Sequence, residues 1–181
     1  FLSSRPEGRG TVKQSESLAE IGEILGKATF WGRPSEEDHE TGQGERLTMS
    51  YCYGAQAVEL AVDLETGSVK VLRFASAFDC GRPINPKMVE GQIHGCIGMG
   101  IGWALKEIFV PGKTESFATY PIPRSTETPE VKIILLETNE PGGPFGAKGV
   151  GEGPILATAP AILNAVANAT GRRFYEIPLR I

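Results

Sequence analysis

Between Asn85 and Lys106 the apolar residues Val89, Ile93, Ile97, Ile101, Ala104 and Leu105 recur three and four positions apart, the repeat that keeps one face of an α-helix apolar. Asn85-Pro86 opens the stretch: asparagine accepts from exposed N–H groups, and proline at the first helical position loses no bond it would have made. The same stretch carries Gly91, Gly95, Gly98 and Gly102, spaced four, three and four apart and so aligned on one stripe. A glycine costs about 0.8–1 kcal/mol against alanine inside a helix, so the stripe gives up roughly 3–4 kcal/mol. A chain that keeps it is expected to use the bare surface for close approach, by another backbone or by a flat ligand. Packing against backbone is the simpler of the two.

Around this helix the periodicity changes. From Leu47 a two-residue repeat places Val58, Leu60, Val62 and Leu64 on one face; Glu65-Thr66-Gly67 turns the chain, and Val69, Val71 and Leu72 follow, which predicts an antiparallel hairpin. Val131 to Leu136 reads as a buried strand, and Pro154 to Ala169 as a closing helix stopped by Gly171. Upstream, Ser15 to Leu25 predicts a short helix ended by Gly26, and Arg33 to Arg46 a polar exposed loop. The predicted class is α+β, with an antiparallel hairpin and further strands in a mixed sheet packed by a glycine-rich central helix and a C-terminal helix. Residues 1–46 form the N-terminal helix and loop, and residues 47–181 the main lobe of one compact unit.

Several function classes are excluded. A formal net charge of -4 offers nucleic acid no basic surface, and no apolar run approaches the roughly 20 residues of a membrane span. Cys52, Cys80 and Cys96 are odd in number and far apart, without the close pairs that zinc or an iron–sulfur cluster needs, so they read as reduced thiols in a cytoplasmic protein. The chain opens on Phe1, which suggests a fragment or a processed product. His39 and His94 have no partner at metal-binding spacing, and no residue is expected to ligate a metal directly.

The chemistry is expected in the loop Pro141 to Pro154, where six glycines and three prolines fix an irregular backbone just before the closing helix. Such a loop gathers N–H groups suited to anionic or strongly polar atoms, with Glu152 as the carboxylate beside them. On physics alone, Glu152 reads first as a helix-start carboxylate interacting with the dipole. Gly98-Met99-Gly100-Ile101-Gly102 looks superficially like a phosphate loop, but those glycines lie within a helix and not at a strand-to-helix turn, so a dinucleotide site is rejected.

Two blocks carry a family resemblance. Asp79-Cys80-Gly81, Ile84-Asn85-Pro86, Val89-Glu90-Gly91-Gln92 and Gly100-Ile101-Gly102, followed by Gly143-Pro144-Phe145-Gly146-Ala147-Lys148-Gly149-Val150-Gly151-Glu152, resemble the molybdopterin-binding subunit of the xanthine dehydrogenase and aldehyde oxidase family of molybdenum hydroxylases. The resemblance runs from about Gly54 to the C-terminus and makes this the C-terminal lobe of that subunit. It implies oxidative hydroxylation of an N-heterocycle or aldehyde with oxygen from water. Glu152 would be the general base, and Lys148, Gly149, Val150, Gly151, Met99 and Gln92 would contact the molybdenum–molybdopterin cofactor. It also implies a site shared with an upstream lobe, with [2Fe–2S] clusters and FAD on partner domains or subunits, so that this length of chain alone is inactive.

One position departs from the pattern: Met99 stands where purine oxidases carry a glutamine, and its side chain donates no hydrogen bond, which weakens any carry-over of purine specificity. Two other readings compete. One is a non-catalytic scaffold or cofactor-assembly domain that keeps the fold. The other is an unrelated anion-binding module, which leaves the block from Asp79 to Gly102 unexplained.

Overall fold

The computed structural model describes residues 36–181, together with Ser3–Ser4, Gly10–Thr11, Gly26, Lys27 and Thr29. The helix predicted at Ser15 to Leu25 lies outside the described residues. The chain divides into two compact units, Phe1–Arg33 and Pro34–Ile181. In the first, β1 (Ser3–Ser4) pairs antiparallel with β2 (Gly10–Thr11). The elements from β3 onward belong to the second unit.

The expected hairpin is β3 (Gly54–Val62) with β4 (Val69–Asp79), paired antiparallel. Asp63 shapes its turn by accepting from the N–H groups of Glu65 and Thr66, and Gly67 takes the left-handed φ of 71° that closes it. The pairing is not uniform: Glu59 faces Arg73 and Leu60 faces Val71, which leaves Leu72 as an extra residue in β4. This bulge shifts the phase of β4 by one, so the inward positions pass from Val69 and Val71 to Phe74, Ser76 and Phe78.

α1 (Pro86–Leu105) is the expected central helix, its first turn capped by the Asn85 side chain, which accepts from the Met88 N–H at 3.2 Å. It forms part of the crossover that lets β5 (Glu130–Leu136) lie parallel to β4, since a parallel partner cannot be reached by a tight turn. Strand order is β3-β4-β5, a mixed sheet, and the class is α+β as expected. The closing segment differs in detail: a 3-10 turn at Gly153–Ala157 precedes α2 (Thr158–Thr170), which Gly171 ends in a left-handed conformation. Pro160 explains the break, because a residue without an N–H is tolerated only in the first turn of an α-helix.

One face of the sheet packs on both helices. Phe74, Phe78, Ile93, Ile97, Ile162 and Val166 are its buried centre. Three of the four glycines of the stripe do not make the close backbone approach expected of them. A side-chain carbon at Gly91, Gly95 or Gly98 would meet nothing within 4 Å among the described residues. The tight contacts are made by Gly102, the last glycine of the stripe, beside Glu107 and Pro123, and off the stripe by Gly100, where a Cβ would stand 2.6 Å from Thr158 Cγ2.

Candidate active site

Asp79, the last residue of β4, has a fully buried side chain, which is costly for a carboxylate unless every oxygen is paired. Its Oδ2 receives the Lys148 ammonium at 2.6 Å, and its Oδ1 receives the Gly81 N–H at 2.9 Å and the Thr138 hydroxyl at 2.8 Å. Lys148 also donates to the Tyr51 carbonyl at 2.7 Å and lies 5.5 Å from the centre of the Tyr53 ring. Burial pushes the Asp79 carboxyl up, but the bonds from Lys148, Gly81 and Thr138 outweigh it and hold the group below the usual carboxylate range. The Asp79 bond raises the Lys148 ammonium despite its burial, so both partners are charged.

The backbone repeats this union. The Lys148 N–H donates to the Cys80 carbonyl at 2.9 Å and the Arg82 N–H to the Gly146 carbonyl at 2.7 Å. Gly81 allows it: its φ is 62°, and a Cβ there would stand 2.9 Å from the Lys148 nitrogen and run into the Gly146 carbonyl.

Past Lys148 the loop is held by its carbonyls. Gly149 O accepts from the Cys52 thiol at 3.4 Å; Gly151 O accepts from Gln92 Nε2 at 3.1 Å and from the Cys96 thiol at 3.6 Å. Pro154 O accepts from Gln56 Nε2 at 2.7 Å. Among the described residues, the N–H groups of Gly149, Val150, Gly151 and Glu152 meet no acceptor. Such a run of donors suits an anionic or strongly polar ligand. Glu152 stands next to them, exposed, at the start of the 3-10 turn; its side chain accepts no capping hydrogen bond. Burial pushes the Cys96 thiol up, and the nearby Glu152 charge adds to that.

Six of the seven residues singled out from the sequence therefore come together: Lys148, Gly149, Val150, Gly151 and Glu152 on one loop, and Gln92 reaching it from α1. Met99 is exposed on α1, about 10 Å further along its axis at 1.5 Å per residue. The Lys148 ammonium and N–H are both engaged within the chain, and Gln92 grips the loop itself. A cavity of about 260 Å³ between the loop and the start of α1 is lined by Arg82, Met88, Gln92, Lys148 and Val150. A larger one of about 610 Å³ lies between the hairpin and the far end of α1 and touches no residue of the loop.

Sequence reasoning did not single out Asp79, Gln56, Thr138 or Cys96 as parts of the site. Gln56 carried a signal: it shares the inward phase of Val58, Leu60 and Val62, where a polar residue must find partners.

A family model described as a molybdopterin cofactor-binding domain matches residues 6–129. The chain belongs to the molybdenum hydroxylase family. Over 133 residues this family member is 38% identical to the xanthine dehydrogenase molybdenum-binding subunit of Escherichia coli, covering 70% of the chain and 18% of that subunit. It is 36% identical over 144 residues to an aldehyde oxidoreductase of Megalodesulfovibrio gigas, covering 78% of the chain and 16% of that protein. The solved aldehyde oxidoreductase of Desulfovibrio desulfuricans superposes with a TM-score of 0.74 at 36% identity, over 79% of this chain and 16% of that one. The chain thus spans less than a fifth of the length of each of these relatives.

The residues present fit a molybdopterin group. The unengaged N–H groups from Gly149 to Glu152 suit its polar, anionic atoms, and Gly91, Gly95 and Gly98 leave the α1 surface open to a flat ring system.

Proposed function

We propose that this chain supplies the general base of a molybdenum hydroxylase, with Glu152 in that role, in the hydroxylation of an N-heterocycle or aldehyde with oxygen from water. The observation that carries the reading is the position of Glu152: an exposed, uncapped carboxylate beside a run of N–H donors, on a loop whose carbonyls are held from β3 and α1. Bound there, the molybdenum cofactor would supply the redox chemistry. The chain's own part is to hold it through the N–H groups of Gly149, Val150 and Gly151, to keep the loop in place through Lys148 and Gln92, and to accept a proton at a Glu152 carboxylate oxygen. Met99, on the open face of α1, contributes apolar contact and no hydrogen bond.

The substrate class draws on relatives named as xanthine dehydrogenase, aldehyde oxidoreductase and quinoline 2-oxidoreductase. Residues 47–181 act as the cofactor-binding lobe of a cytoplasmic enzyme, completed by an upstream lobe of the molybdenum subunit. Iron–sulfur clusters and a flavin on partner domains or subunits would carry electrons away, as befits a chain whose relatives include a subunit of a dehydrogenase complex.

The test compares wild type with Glu152→Gln in the full-length, co-expressed complex, by molybdenum and pterin content and by turnover of a panel of N-heterocycles and aldehydes. Equal cofactor content with turnover lost only in the variant supports the base. Absence of molybdenum and pterin from the matured complex would instead favour a non-catalytic scaffold or cofactor-assembly role.

A further inference from the structure

Gln56 occupies an inward position of β3, where the neighbouring inward residues are Val58, Leu60 and Val62. An amide there is costly unless its groups are paired, and they are. Its Oε1 accepts from the Thr158 hydroxyl at 2.8 Å, while Nε2 donates to the Pro154 carbonyl at 2.7 Å and to Ser76 Oγ at 3.3 Å. Thr158 and Ser76 are themselves buried. The Pro154 carbonyl, which can only accept, fixes the N–H₂ end of the amide toward itself, and the Thr158 hydroxyl pairs the oxygen end while also reaching the Pro154 carbonyl at 3.5 Å. Gly100 of α1 leaves the room that Thr158 needs. Side chains from β3, β4 and α2 thus combine to hold one carbonyl, two residues beyond Glu152.

On the other side of Glu152, Gln92 holds the carbonyl of Gly151. Glu152 itself lies between Gly151 and Gly153, whose backbones restrain it least. Its backbone is therefore placed by the two held carbonyls together with its own, which accepts from the Ile155 N–H at 3.1 Å.

We propose that Gln56 is a positioning residue for Glu152, acting through the Pro154 carbonyl as the downstream counterpart of Gln92. The inference rests on Glu152 being the base. A leucine at position 56 fills similar space but removes the 2.7 Å donor and leaves the carbonyl the long 3.5 Å contact from the Thr158 hydroxyl. A misplacement of about 1 Å in a catalytic group costs on the order of a hundredfold in rate, so Gln56→Leu is expected to lower kcat about ten- to a hundredfold. KM and molybdenum and pterin content should stay within about twofold of wild type.

The experiment uses the full-length, co-expressed complex and measures kcat, KM, cofactor content and amide exchange for four variants: Gln56→Leu, Thr158→Val, Glu152→Gln and Ile162→Val. Exchange should quicken at the Ile155 N–H, which bonds the Glu152 carbonyl at 3.1 Å, in Gln56→Leu and Thr158→Val while residues 58–62 of β3 keep their protection, in cofactor-free and loaded protein alike. Thr158→Val removes the hydroxyl that pairs the amide oxygen and reaches the same carbonyl, and should lower kcat in the same direction but less; it tests the same link should Gln56→Leu not assemble. Ile162→Val loosens the same core without reaching the loop and should leave kcat unchanged. If Gln56→Leu and Thr158→Val keep wild-type kcat and loop protection while Glu152→Gln is inactive, the positioning role is overturned and the base stands. Losses in Gln56→Leu that Ile162→Val matches, along with lost cofactor, reduce Gln56 to a core residue and also overturn it. Turnover surviving in Glu152→Gln removes the base reading, and the positioning role with it.

Discussion

Replacing Lys148 by methionine leaves the Asp79 carboxylate buried without its counter-charge. Both side chains are almost wholly removed from water, at 6% and 0% exposure, so the Coulomb partner is not replaced by solvent. The Gly81 N–H and the Thr138 hydroxyl still reach Oδ1, while Oδ2 loses its only donor among the described residues. Breaking a buried pair from one side costs about 3–5 kcal/mol. At about 1.4 kcal/mol per decade, local opening where the two motif blocks meet should become on the order of a hundred- to several-thousandfold more frequent, with global unfolding as the ceiling. Amide exchange of the intact subunit reads this at the Arg82 N–H, which bonds Gly146. The companion is the double variant Asp79→Asn with Lys148→Met, which buries no charge and keeps an oxygen for Gly81 and Thr138. It is expected to exchange more slowly than Lys148→Met alone. A double variant as labile as the single one, or a single variant within tenfold of wild type, would refute the argument from an unpaired buried charge. The pH dependence follows from the same pair. Asp79 is held below its unfolded value, so its contribution is present above about pH 3.9 and is lost as pH falls through the folded pKa; Lys148 is raised, so its contribution is present below about pH 10.4 and is lost as pH rises through the folded pKa. The difference between wild type and the double variant should therefore stay flat from about pH 5 to 9.

Gly81→Ala places a Cβ against the Gly146 carbonyl at a φ of 62°, and should destabilise the junction by about 1–3 kcal/mol or more, read as a lower unfolding midpoint of the subunit. Gly100→Ala forces a carbon against Thr158 and is expected to cost about 1–3 kcal/mol by overpacking. Gly95→Ala, on the open stripe of the same helix, should do the opposite and slow α1 amide exchange by the roughly 0.8–1 kcal/mol that alanine gains in a helix. If the open stripe serves a flat ligand, the same Gly95→Ala lowers pterin content in the matured subunit; unchanged pterin content would mean that the stripe serves neither partner.

Local pattern carried the fold well where one interaction decides the conformation. Asn85-Pro86 could only begin a helix efficiently, Gly171 could end one at little cost, and Val131 to Leu136 had the length and branching of a buried strand. The bulge at Leu72 was not legible, because nothing in a run of alternating residues marks where the register slips. Nor was the strand order, which depends on the crossover and not on the strands themselves. In the site, the loop was legible through its glycines and Glu152 through the family pattern. Its supports were not: Gln56, Thr138 and Cys96 reach the site from distant parts of the chain, and only Gln56 betrayed itself by standing in an apolar phase.

The two blocks that carry the family pattern, Asp79 to Gly102 and Gly143 to Glu152, are separated by forty residues in sequence and form one structural object. Asp79-Cys80-Gly81 and Gly146-Ala147-Lys148 meet through the Asp79–Lys148 pair, the bond from the Lys148 N–H to Cys80, and the approach that Gly81 alone permits. Each requirement constrains a different residue type: a carboxylate, a long cation, and a residue without a side chain. None could change by itself without leaving a buried charge or a steric clash, so the blocks have to match together or not at all. The same union fixes the start of the loop to the end of β4, four residues before Glu152. It is therefore where the stability of this unit and the aim of its candidate base depend on the same atoms.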